Sequence, residues 1–103
     1  MIIKTYDIFI APAFKEELEN IYNYIVIILD NPRAAKSIYD KIIAGVRSLD
    51  YMPQRFPLWN DTDYHKMVVG KYMIFYSVDE EMRIVNINRI LYSGRDINML
   101  AIS

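Results

Sequence analysis

Basic and aromatic residues gather in one part of this sequence. Residues 65–95 hold Lys66, Lys71, Arg83, Arg89 and Arg95, with Tyr92 and the only histidine, His65, while the acids there are confined to Asp79-Glu80-Glu81. Such a run can present a local basic surface to an anionic partner. Solvated faces of complementary charge account for the same pattern, because residues 1–30 are mainly acidic and residues 31–59 mainly basic. Over 103 residues the net charge is only -1, so the balance as a whole demands no nucleic-acid partner.

Other chemistries lack their parts. With no cysteine, disulfides, thiolate metal sites and cysteine nucleophiles are excluded, and a cytoplasmic setting is expected. There is no histidine pair and no glycine-rich phosphate loop, so neither a metal nor an organic cofactor is expected. The acidic triplet at 79–81 reads as a solvated turn. The N-terminus alternates polar and apolar residues, unlike a signal peptide, and the longest apolar run, Tyr24 to Leu29, is too short to span a bilayer. The length suits a single domain over residues 1–103.

Strand patterns dominate the basic stretch. His65 to Val69, Lys71 to Asp79 and Met82 to Leu91 carry β-branched and aromatic residues, with Gly70 making the first turn. In the last of these, Val85, Ile87, Arg89 and Leu91 are expected on one face, and Ile84, Asn86, Asn88, Ile90 and Tyr92 on the other. Upstream, Ile3 to Ile10 alternates until Pro12 stops it. Phe14, Leu18, Ile21, Tyr22, Ile25, Ile28 and Leu29 then recur at spacings of three and four, which predicts an amphipathic helix of about five turns. Asn31 can cap a second helix that begins at Pro32 and turns Ala35, Ile38, Tyr39, Ile42, Val46 and Leu49 inward. So short a connection makes the two helices an antiparallel hairpin.

Residues 50–64 lose periodicity and read as a loop pinned by its aromatic residues, with Trp59 as a packing anchor. Asp96 to Ile102 suits a short helical turn. The predicted architecture is an α+β domain: a small antiparallel meander sheet with an N-terminal strand, and the helical hairpin packed on one face.

Three stretches carry a resemblance: YDIFIAPAFKEELENIYNYI, NPRAAKSIYDKI, and VGKYMIFYSVDEE followed by INRILYSGRD. In content and order they resemble toxins of the RelE/ParE superfamily, the toxic half of bacterial type II toxin–antitoxin pairs. The resemblance implies a growth-inhibiting toxin with an antitoxin partner. It further implies either RelE-like cleavage of messenger RNA on the ribosome, without a metal, or ParE-like poisoning of DNA gyrase without nuclease chemistry. A non-toxic member that retains antitoxin binding is a third class.

RNA cleavage needs a group to activate the ribose 2′-OH, cations for the phosphate, and a proton donor for the leaving oxygen. On the resemblance, the candidate catalytic residues are Arg95, Tyr92, Arg89, Lys66 and His65, with Lys71 beside them. Two departures pull away from a nuclease. Tyr72 is followed by Met73 where RelE-like nucleases commonly carry arginine, and the preceding loop sets Asp61 and Asp63 against only His65 and Lys66. A sequence pI near 5.7 is also low for docking on ribosomal RNA.

Strand parity adds a constraint. Arg89 and Tyr92 point to opposite faces of a regular strand, and can serve one site only if the strand ends or bulges near Leu91. Arg89, among Val85, Ile87 and Leu91, also suits a partly buried pair with a carboxylate. For the antitoxin, Tyr22, Tyr39 and Tyr76 are expected to offer exposed apolar surface.

Overall fold

Proline has no N–H to donate to a sheet but fits the first turn of a helix, so Pro12 separates the two opening elements. The computed structural model describes residues 5–93. β1 (Asp7–Ile10) leads into α1 (Pro12–Asn23), which continues through a π-helical turn (Tyr24–Ile28). α2 (Pro32–Arg47), two 3-10 turns (Ser48–Asp50 and Pro53–Arg55), β2 (His65–Val69), β3 (Tyr72–Asp79) and β4 (Ile84–Tyr92) follow. The start of the expected first strand at Ile3 and the expected turn from Asp96 to Ile102 lie outside the described residues.

The predicted cap of the second helix forms: Asn31 Oδ1 accepts from the Ala34 N–H at 3.1 Å, with Pro32 at the first helical position. The end of the first helix departs from the 3.6-residue period. There the Leu29 N–H bonds to the Tyr24 carbonyl at 3.2 Å and the Asn31 N–H to the Ile25 carbonyl at 3.1 Å. This wider turn leaves Ile28 and Leu29, which the periodicity placed on the inner face, 64% and 56% exposed.

The sheet has the order β1-β4-β3-β2. β2, β3 and β4 form the expected antiparallel meander, but β1 pairs parallel with β4, Ile8 beside Val85 and Ile10 beside Ile87, so the sheet is mixed. The helical hairpin carries the chain out and back, and the meander then leaves β4 running in the direction of β1 with an edge open to it.

A bulge corrects the expected faces of β4. Arg89 pairs with Phe75 but Ile87 pairs with Tyr76, leaving Asn88 as an extra residue. Val85, Ile87 and Ile90 are consequently buried together, and Arg89 and Leu91 do not join them.

Those three residues meet Phe14, Leu18, Ile42, Val46 and Leu49 from the helical layer, with Met67, Ile74 and Tyr76, in one core. α2 comes close to β2 at Gly45, where a Cβ would lie 3.1 Å from Val69 Cγ2. On the other face, Trp59 of the irregular loop sets its ring edge-on to Phe75 at 5.3 Å, the packing role expected of it.

The acidic turn does more than face solvent. Glu80 accepts from the Tyr6 hydroxyl and from Gln54 Nε2, each at 2.6 Å, and Gln54 also donates to the Tyr6 oxygen at 2.8 Å. This ties the chain before β1, the second 3-10 turn and the β3–β4 connection together. Hydrogen bonds from Tyr6 and then Gln54 hold the Glu80 carboxyl below its ordinary pKa. A depressed carboxyl contributes stability above its unfolded pKa and loses that contribution as pH falls through its folded value. Urea unfolding from about pH 6 down to about pH 3 is therefore expected to show a decline in stability that Glu80→Gln makes shallower. Asn31→Ala, in the same assay, is expected to cost about 1 kcal/mol at neutral pH through loss of the helix cap.

Candidate functional site

Among the described residues, Lys66, His65, Arg89 and Tyr92 stand at different places on the sheet. Lys66 and Arg89 both pair with Phe75 from opposite sides, so they share one row on the face away from the helices. His65 pairs with Tyr76 and therefore faces the helical side of the sheet. Its ring stacks on Tyr76 with centroids 5.1 Å apart, and its Nδ1 lies 2.6 Å from the Phe56 carbonyl oxygen. Tyr92 pairs with Tyr72, four residues from Tyr76 along β3, which is about 13 Å at the rise of a strand. Arg95 lies outside the described residues.

The bulge at Asn88 precedes both Arg89 and Tyr92, so it leaves their parity unchanged and the two still point to opposite faces. Arg89 is committed to Glu17 on α1. Its Nε donates to Glu17 Oε2 at 2.7 Å and its Nη2 donates to the same oxygen. The other carboxylate oxygen, Oε1, accepts the backbone N–H of Ile90 at 3.1 Å. The carboxylate thus raises the Arg89 pKa further. The pairing with a carboxylate matches expectation, but Glu17 as its partner was not singled out. Glu17 stands three residues after Phe14 and four before Ile21, at the border of the apolar face, and that spacing was the available signal.

Met73 is only 7% exposed, so the position where an arginine is commonly found in RelE-like nucleases lies inside the packing. Tyr76, expected at an antitoxin surface, is fully buried and donates its hydroxyl to the Pro53 carbonyl at 2.6 Å. Burial pushes its pKa up to about 12. Tyr22 and Tyr39 do reach the surface, edge to face at 6.0 Å.

Three of the concavities formed by the described residues stand out. One of about 670 Å³ runs between the helices, where Phe14, Leu18, Tyr22, Tyr39 and Ile43 form an apolar floor under Lys15, Glu19, Lys36 and Asp40. A second, of about 590 Å³, lies between the hairpin tip and the paired ends of β3 and β4, with Tyr24, Leu29, Lys71, Tyr72 and Tyr92 in its lining. There the Tyr72 and Tyr92 rings are 5.6 Å apart, and burial, then Tyr92, raises the Tyr72 pKa. The third, of about 710 Å³, is acidic, with Asp63, Asp79, Glu80 and Glu81 around His65. Among the described residues, no group of three or more His, Asp or Glu is placed to hold a metal ion, and no helix is long and apolar enough to cross a membrane.

A family model described as "ParE toxin of type II toxin-antitoxin system, parDE" matches residues 8–97. Among solved structures, the chain is similar to one from the chromosomal ParDE system of P. aeruginosa, with a TM-score of 0.71 and 17% identity over 87% of this chain and 98% of that one. It is also similar to one in the RelBE2 toxin–antitoxin complex of Mycobacterium tuberculosis, with a TM-score of 0.62 and 18% identity over 85% and 98% of the two chains. A chain of the archaeal RelE–RelB complex from Pyrococcus horikoshii OT3 gives a TM-score of 0.62 and 20% identity over 89% and 99%. A search of curated proteins finds no match. These structural likenesses establish the fold.

The Glu17–Arg89 pair is partly exposed, which limits its worth, but removing one partner strands the other beside the core. Arg89→Ala is expected to lower unfolding free energy by about 1–2 kcal/mol. Glu17→Gln combined with Arg89→Ala is expected to lose less than the sum of the two single changes, as read by urea denaturation of all four proteins.

Proposed function

The chain belongs to the ParE toxin family of type II toxin–antitoxin systems, and from that membership we propose that it arrests growth by binding DNA gyrase and not by cutting RNA. The observation that carries this reading is the dispersal of Arg89, His65 and Lys66. Arg89 is spent on Glu17, His65 is held between the Phe56 carbonyl and the Tyr76 ring, and Lys66 stands on the opposite face from His65. Cleavage of a phosphodiester requires base, acid and cations around one phosphate, within hydrogen-bond reach of the reacting atoms. Binding a protein target requires surface, and the hairpin tip supplies apolar surface freely: Tyr24, Ile27, Ile28 and Leu29 are each more than half exposed.

A cognate antitoxin is the other partner under this proposal. The similar structures from M. tuberculosis and P. horikoshii are toxin–antitoxin complexes, and the groove around Tyr22 and Tyr39 has the apolar floor and charged rim that suit an amphipathic segment.

RelE-like cleavage is the second reading, and one observation favours it. Lys71, Tyr72 and Tyr92 line one cavity, which brings an ammonium and two phenols together. Two assays on the purified protein separate the readings. Inhibition of gyrase supercoiling, with messenger RNA left intact on programmed ribosomes, is the expected result. Site-specific transcript cleavage with unaffected supercoiling would replace it with the nuclease reading, and growth unaffected by expression would leave only antitoxin binding.

A further inference from the structure

The cavity between the hairpin tip and the end of the sheet is shaped by two features that periodicity alone does not produce. The π-helical turn directs Leu29 outward, and the bulge at Asn88 brings Tyr92 to the helical side, opposite Tyr72. The lining is mostly apolar, with Tyr24 55%, Leu29 56% and Tyr92 40% exposed. A volume of about 590 Å³ is within the range that accepts several side chains.

Charge selects the occupant. Among the described residues lining this cavity, Lys71 alone is charged. The concavity around His65 is acidic by contrast, and the groove between the helices carries both signs, with Lys36 and Asp40 paired at 2.9 Å. The base of Lys71 is fixed, because its carbonyl accepts both the N–H and the hydroxyl of Ser93, at 2.7 and 2.8 Å. That cation on an apolar rim matches a carboxylate beside an apolar side chain.

We propose that this cavity seats an acidic, apolar segment of the cognate antitoxin, with an aliphatic or aromatic side chain entering between Tyr24 and Tyr92 and a neighbouring carboxylate pairing with Lys71. The inference rests on the toxin–antitoxin reading above and adds to it the anchoring point and the chemistry of the anchor. It makes Lys71 a specificity residue, because reversing its charge turns attraction into repulsion without touching the core.

The test is calorimetric titration of the whole chain with its antitoxin, identified as the co-expressed protein that relieves its growth arrest. Lys71→Glu and Leu29→Asp are both surface changes, and circular dichroism establishes that each variant is folded. Each is expected to weaken binding at least tenfold, while Lys41→Glu, on the exposed side of α2, stays within about twofold of the parent. Parent-like binding by folded Lys71→Glu and Leu29→Asp would overturn the anchoring proposal and leave the toxin–antitoxin pairing standing. No binding to the parent chain would overturn the pairing itself, and the anchor with it.

Discussion

One extra residue in β4 sets the arrangement of the whole C-terminal half. Without Asn88 as a bulge, strict alternation would carry Arg89 onto the buried face beside Val85 and Ile87, where a guanidinium would need full desolvation. The bulge replaces it there with Ile90 and turns the Ile90 N–H towards the edge that β1, only four residues long, does not reach. Leaving that donor without a partner would cost about 1–3 kcal/mol. Glu17 answers both needs from the helical layer, taking the N–H with one oxygen and the displaced arginine with the other. A side chain on α1 thus completes the strand edge that backbone pairing leaves open.

The two faces of the sheet are covered by different means. Helices suit the side that carries Met67, Ile74, Tyr76, Val85, Ile87 and Ile90, because an amphipathic stripe offers a continuous apolar surface. The opposite side is met by the irregular loop, through Trp59 on Phe75. The same loop supplies the carbonyls of Pro53 and Phe56 to the hydroxyl of Tyr76 and the ring of His65. A buried phenol keeps its place only with an acceptor, so the loop's path and the burial of Tyr76 require one another. The Phe56 carbonyl and the Tyr76 ring thereby fix the place of His65.

What could be read from the sequence was local. Pro12, the Asn31-Pro32 cap and the turn at Gly70 act through the residue's own backbone or its near neighbours and appear where they were read, while the periods of two and 3.6 hold up to the bulge in β4 and the π-helical turn. The parallel partner of β1, the bulge, the Glu17–Arg89 pair and the burial of Tyr76 depend on residues tens of positions apart. Parity counted along an unbroken strand put Arg89 and Leu91 with Val85 and Ile87, because a bulge leaves no mark in an alternating sequence as polar as Asn86-Ile87-Asn88-Arg89. The π-turn is hidden for a similar reason: Tyr24 to Leu29 is apolar at every position, so no polar residue reveals which side faces water.

The absence of an arginine after Tyr72 is built into the packing and is not an isolated substitution. Met73 pairs with Val68 on one side and Leu91 on the other, so an apolar row crosses the sheet at that level. A guanidinium placed at 73 would have to leave that row or be desolvated within it, and a long side chain that escapes to the rim no longer clamps a phosphate in a fixed position. One row away, Arg89 has already been drawn to Glu17, and Trp59 occupies the space over Phe75 between Arg89 and Lys66. On this side of the molecule Glu17 holds Arg89, Trp59 packs on Phe75 and Met73 lies in an apolar row. Among the described residues, the hairpin tip and the surroundings of Lys71 keep apolar side chains exposed beside one cation.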